Sequence, residues 1–281
     1  PSLLLLGTAL LHLPLAPLLV FGWGPLPGMG VAGAAASTLT VNALSALVMV
    51  GYLLRRHGVV SLRRTAWWPR AALWRDILRV GLPASMSPVI SNASIAVSTA
   101  FVGHYGTAAL AGYGVAARLE YILVPIAFGF GTALTAMVAT NMGAGQTVRA
   151  VRVAWAGGAL VAAITGAIGL ATAIAPALWM GLFTTDADVL AVGATYLNIV
   201  GGCYAFFGLG LALFFASQGA GRMFWPLAGS MARLVVLVVG GWLCVHVFQT
   251  SAMALFAVIA FSLVLYGSTI AIAIRLGSWT R

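Results

Sequence analysis

The stretch VAGAAASTLTVNALSALVMVGYLLRRHGVVSLRRTAWWPRAALWRDILRVGLP, Val31 to Pro83, decides the architecture. Val31–Leu54 carries no charged side chain. It is long enough to cross a bilayer, which takes about 20 residues at about 1.5 Å each. Arg55, Arg56, Arg63, Arg64, Arg70, Arg75 and Arg79 then crowd together before the apolar run resumes at Leu82. An oily run, a dense guanidinium stretch and a second oily run mark a span that ends on the cytoplasmic face.

The rest of the chain repeats this pattern. Of 281 residues, 62% are apolar and 6% charged, whereas about a quarter of an average soluble domain is charged. That composition excludes a water-soluble globule. Apolar runs predict eight spans: Leu3–Val20, Val31–Leu54, Leu82–Gly103, Ala108–Ala139, Val153–Leu178, Val189–Ala216, Met223–Val247 and Ala252–Ile274. They are too long and too uniformly apolar for barrel strands. The fold class is therefore an all-α polytopic membrane protein.

All fourteen basic residues are Arg. Arg149 and Arg152 follow the fourth expected span, Arg222 the sixth, and Arg275 and Arg281 the eighth. With the seven after the second span, twelve fall after even-numbered spans, and none lies in an odd-numbered break. A miscounted span would put the later clusters on the opposite side. Both ends of this segment are thus expected in the cytoplasm of a bacterial inner-membrane protein. The net charge of +10 reads as membrane orientation and not as a nucleic-acid surface. The chain begins at Pro1, inside an apolar run without a basic flank, which reads as a start within a longer protein.

Two arginines, Arg118 and Arg233, fall inside expected spans together with Glu120. A charge at mid-bilayer costs about 2.5–3.5 kcal/mol on insertion scales, so each needs a partner or water. Tyr121–Ala139 alone could cross about 28 Å, which would leave Arg118 and Glu120 near the outer interface. Arg233 has no such escape.

The third span carries the most informative face. Ser87, Ser91, Ser94 and Ser98 share one strip, and Ser85, Asn92 and Thr99 form a second beside it. Such a face serves interhelical packing or lines a wet cavity. Pro83 and Pro88 are expected to kink it. In the fifth span, Ala154, Gly158, Ala162 and Gly166 form a small-residue packing seam.

No catalytic constellation emerges. Gly129-Phe130-Gly131 lacks the rest of a phosphate loop. His12, His57, His104 and His246 are scattered, and Cys203 and Cys244 have no metal-ligand spacing. Asp186 and Asp188 read as a solvated loop with a helix cap. Asn92-Ala93-Ser94 is a glycosylation sequon placed inside a span, out of reach. A kinked multi-span bundle without catalytic machinery suggests passive or ion-coupled transport.

Several stretches carry a family resemblance. They are Pro27-Gly28-Met29-Gly30-Val31-Ala32-Gly33-Ala34-Ala35, Ala111-Gly112-Tyr113-Gly114-Val115-Ala116-Ala117-Arg118-Leu119-Glu120, Asn141-Met142-Gly143-Ala144-Gly145-Gln146 with Arg149, and Ser217-Gln218-Gly219-Ala220-Gly221-Arg222. Arg79-Val80-Gly81-Leu82-Pro83 opens the third span. In order and spacing these resemble the MATE (multidrug and toxic compound extrusion) family. The resemblance implies twelve helices in two pseudo-symmetric six-helix lobes around a cavity, of which this chain holds helices five to twelve. Residues 1–54 would be the last two helices of the first lobe, 55–78 the cytoplasmic Arg-rich interlobe linker, and 79–281 a complete second lobe.

Resemblance further implies an antiporter that exports cationic or amphipathic drugs and toxins by alternating access, without a cofactor, as a monomer in the lipid bilayer. Sodium-coupled relatives carry a Glu where Ser91 and Asn92 stand and an Asp near Phe207. Their absence here favours a proton over sodium as coupling ion, through an acid in the family's first helix or through Glu120. Glu120 could equally be a structural partner of Arg118 or Arg233. The expected cavity residues are Ser91, Asn92, Ser94, Ser98, Phe128, Met137, Asn198, Phe206 and Phe207; aromatic faces and flexible Met suit bulky cations. Competing readings are a lipid-linked oligosaccharide flippase of the same superfamily, a lipid-phosphate enzyme using Asp186 and Asp188, and a non-functional fragment.

Overall fold

The computed structural model describes residues 2–23, 26–55 and 71–279, which fall into two compact units divided after Arg70. In the first unit, α1 (Ser2–Phe21) and α2 (Val31–Arg55) pack together. A two-residue antiparallel pair, β1 (Gly22–Trp23) and β2 (Leu26–Pro27), lies between them. The turn into α2 is held by Met29 N–H donating to the Leu19 carbonyl at 2.9 Å and Gly30 N–H to that of Val20 at 3.1 Å. Gly30 adopts φ +56°, a conformation that favours glycine. Residues 56–70, most of the expected interlobe connection, lie outside the described residues.

The second unit is a helical bundle. Its helices are α3 (Ala71–Gly103), α4 (Thr107–Ala117), α5 (Glu120–Gly143), α6 (Thr147–Ile174), α7 (Pro176–Met180), α8 (Ala187–Val200), α9 (Tyr204–Gly219), α10 (Phe224–Trp242) and α11 (Ala252–Arg275). α9 is the axis of the core. Its Tyr204, Phe207, Leu213, Phe214 and Phe215 are buried, and it packs against α5, α6 and α11, as befits a helix that is apolar on every side. α10 packs between α3 and α11, and α4 packs on α8.

Among the described residues, seven helical segments are long and apolar enough to cross a membrane. They fall on the second to eighth expected spans; the first coincides with α1, whose apolar portion Leu6–Phe21 is shorter. Three of the expected spans are each divided into two helices; the fifth breaks at Ala175, between α6 and α7. The fourth breaks at Arg118–Leu119, between α4 and α5. The sixth passes through a single 3-10 turn, Gly201–Cys203, between α8 and α9. α10 ends in a π-helical turn, Leu243–Val247.

Small residues set the helix contacts. On α6 the buried positions are Ala150, Ala154, Gly158, Val161, Thr165 and Gly169. The expected four-residue seam holds at Gly158 and Gly166, where a side chain added to Gly166 would meet the Ala205 methyl at 2.9 Å. The fully buried row moves round to Val161, Thr165 and Gly169, because each four-residue step overshoots a 3.6-residue turn by about 40°. Farther along the same face, the two backbones meet. A side chain on Gly169 would collide with the Gly201 carbonyl, and one on Gly201 would meet the Gly169 carbonyl at 2.5 Å. α5 and α9 are joined by the Thr135 hydroxyl, which donates to the Phe215 carbonyl at 2.9 Å.

The half of the bundle farthest from Arg149, Arg152 and Arg222 is braced by rings. Tyr113 of α4 meets Tyr196 of α8 edge-to-face at 5.3 Å, and Tyr196 meets Phe256 of α11 at 5.2 Å. The Trp179 indole N–H donates to the Val115 carbonyl at 3.1 Å. Asp186 caps α8, accepting from the backbone N–H groups of Asp188 at 3.0 Å and Val189 at 3.2 Å. Asp186→Ala is expected to lower stability by about 1 kcal/mol, read as a depressed melting temperature.

Candidate functional site

A cavity of about 340 Å³ opens within the second unit. α3 lines it with Ser87, Pro88, Ser91, Asn92 and Ile95, and α5 with Glu120, Tyr121, Val124, Pro125 and Phe128. α9 adds Phe207, Leu211, Phe214 and Phe215; Arg233 of α10 and Tyr266 of α11 complete the wall. A mostly apolar hollow with a few convergent polar groups has the form of a small-molecule site.

The polar groups follow from local structure. Pro88 lacks an N–H, so α3 cannot form a regular bond there. One turn later the Asn92 side-chain amide donates back to the Pro88 carbonyl at 2.9 Å, which leaves the amide oxygen available to the cavity. Ser94 is fully buried and donates to the Ile90 carbonyl at 2.9 Å. Ser87 Oγ is buried in the cavity wall without a protein partner.

The break after α4 places Glu120 in the first turn of α5. The carboxylate does not sit at the end of the span, as the length of the span allowed. It shares the cavity with Asn92, near the middle of α3, and with Arg233, near the middle of α10. The reason is that α4 takes up the first part of the span before the chain turns into α5. Tyr196 donates to Glu120 Oε1 at 3.5 Å, a long contact.

Arg233 is 7% exposed. Its guanidinium carbon lies 5.5 Å from the centre of the Phe207 ring, within cation–π range, and its Nε has no hydrogen-bond partner. Arg233 lines the same hollow as Glu120. Arg118 is separate: it is exposed, with its guanidinium 5.5 Å from the Phe183 ring centre in the loop before α8.

The structure thus brings Ser91, Asn92, Phe128, Phe207, Glu120 and Arg233 together around one hollow. Ser94 and Ser98 are buried on α3 outside its lining, and Met137, Asn198 and Phe206 are exposed elsewhere. Sequence reasoning did not find Tyr121, Phe214, Phe215 or Tyr266. The uniformly apolar α9 gives no periodic signal for which aromatic rings face inward.

A model of the MatE family matches residues 83–243, from α3 through the start of the π-helical turn. The chain belongs to the MATE family. Its family is one of transporters and not of enzymes. Curated relatives include the FAD transporter of Shewanella oneidensis, 28% identical over 85% of this chain and 53% of that protein. Another is the probable multidrug resistance protein YoeA of Bacillus subtilis, 27% identical over 80% of this chain and 50% of its own length. The multidrug export protein MepA of Staphylococcus aureus (strain MSSA476) is 26% identical over 69% of this chain and 42% of that protein. This MATE chain therefore spans about half the length of these relatives.

Solved structures agree on the fold. A MATE transporter in a straight conformation superposes with a TM-score of 0.87 at 19% identity, over 99% of this chain and 62% of that one. A Pyrococcus furiosus transporter of the MOP superfamily, described as having a binding pocket of reversed polarity, gives 0.82 at 20% identity over 99% and 63%.

Proposed function

We propose that this chain is the larger part of a secondary antiporter that exports amphipathic, cation-bearing compounds in exchange for protons by alternating access. Residues 1–54 would close a first lobe, 55–78 would link the lobes in the cytoplasm, and 79–281 would form the second lobe. Eight membrane spans, cytoplasmic ends and a monomeric state belong to the same reading. The observation that carries it is the convergence of Glu120, Arg233, Asn92 and Ser91 with Phe128 and Phe207 on one apolar hollow. Aromatic faces attract a cation through the ring quadrupole, and a carboxylate supplies the compensating charge. Glu120 is the acid in that hollow, so it is proposed to exchange a coupling proton for the cationic group.

The expected test is drug resistance in cells carrying the full-length gene. Asn92→Leu with Ser91→Leu should reduce resistance several-fold while leaving the amount of protein in the membrane unchanged. Resistance equal to the parent would remove α3 from the binding role.

A second reading is favoured by Arg233, whose Nε is unpaired and whose guanidinium faces an aromatic ring. Such a group suits a planar compound bearing an anionic arm, and the FAD transporter is among the relatives. Proteoliposome competition between an organic cation and a flavin nucleotide separates the two readings by which solute inhibits export.

A further inference from the structure

His104 and His246 are far apart in sequence, yet the fold brings their rings to 5.8 Å between centroids at an interplanar angle of 65°. His104 follows the end of α3, and His246 lies in the π-helical turn that ends α10. Both helices run away from the arginine-bearing end, so the pair sits at the opposite end of the bundle. Both side chains are exposed and can be reached from solvent.

The geometry already satisfies part of what a metal requires. The His104 Nδ1 lies 3.2 Å from the Ala100 carbonyl. A carbonyl only accepts, so Nδ1 carries the hydrogen and Nε2 keeps a free lone pair. A backbone carbonyl on the other ring nitrogen is the usual orienting contact for a histidine ligand. The second imidazole is steadied by the Trp242 indole, stacked on His246 at 6.0 Å and 18°. Two imidazoles on one tetrahedral ion, with metal–nitrogen bonds of about 2.0–2.1 Å, hold their ring centres about 5–6 Å apart.

We propose that His104 and His246 form a two-histidine site for a divalent transition-metal ion of the zinc, nickel or copper class, clipping the end of α3 to the end of α10. Among the described residues no third His, Cys, Asp or Glu joins the pair, so water completes the coordination and the site stays open and exchangeable. Imidazole nitrogen suits these ions and not magnesium or calcium. Where the clip forms, it opposes separation of α3 from the π-helical end of α10, a kind of irregularity that often marks functional positions. The proposal is independent of the substrate reading above.

The experiment is titration of the full-length protein in nanodiscs with zinc chloride and, separately, nickel chloride, following calorimetric binding and melting temperature. One ion per chain is expected, with thermal stabilisation. His104→Gln and His246→Gln should each weaken that site about 10- to 100-fold, while the double variant should be little weaker than either single. His12→Gln should change nothing. Copper(II) should quench indole emission in the parent protein, and Trp242→Phe should remove most of that quenching. Unchanged affinity in both single variants, or two independent ions whose losses add, would overturn the proposal. The copper measurement on the Trp242→Phe protein keeps both histidines, so it reports even where a Gln variant fails to fold.

Discussion

With the proposed function, Arg233→Met is expected to reduce export at least about tenfold, the largest functional loss expected of a single substitution in this protein. Arg233 is almost wholly buried and holds its guanidinium over Phe207, while Glu120 is the acid that shares its cavity. Removing one charge from a buried pair costs about 3–5 kcal/mol when the two are in contact. The figure expected here is about 1–3 kcal/mol, the cost of leaving one buried polar group unsatisfied. The variant should therefore also melt earlier. Adding Glu120→Gln removes the stranded carboxylate, so Arg233→Met/Glu120→Gln should regain much of the lost stability and none of the transport. Flux into proteoliposomes and melting in the same membrane measure both. Normal flux in the double variant would show that the two charges serve only the fold.

Gly169→Val and Gly201→Val are expected to produce the largest loss of stability. At this crossing α6 and the 3-10 turn after α8 touch backbone to backbone, and each glycine faces the other's carbonyl. A backbone atom cannot rotate out of the way as a side chain can. Overpacking of this kind costs about 1–3 kcal/mol, occasionally more, and valine adds a branched side chain where even a methyl does not fit. The measurement is the yield and melting of monodisperse protein after extraction. Gly202→Ala, a neighbour with open space around it, should extract and melt like the parent. Equal behaviour of Gly169→Val and Gly202→Ala would be incompatible with the described crossing.

Much of this architecture could be read from residue type alone, because lipid imposes a simple rule on long apolar runs and arginine marks their ends. The polar strip on α3 was also visible, since Ser91 and Asn92 stand out against oil. What was not legible depended on tertiary packing. The division at Arg118–Leu119 has no proline or glycine at the break to announce it, and that division is what lowers Glu120 into the cavity. The aromatic lining from α9 was hidden because nearly every residue of that helix is apolar. His104 and His246 looked unrelated because their meeting depends on how α3 packs against α10. Asp186 was read correctly as a cap, since Asp followed by an apolar run is a local signal.

The ring-to-ring brace of Tyr113, Tyr196 and Phe256 couples α4, α8 and α11, and Tyr196 also touches Glu120. In the proposed proton exchange, loading or unloading that acid pulls on a keystone and not on a free-swinging arm. A tilt of any one of the three rods must drag its companions along. In the proposed alternating access these three rods would move as a single plate, with the carboxylate mounted at its edge.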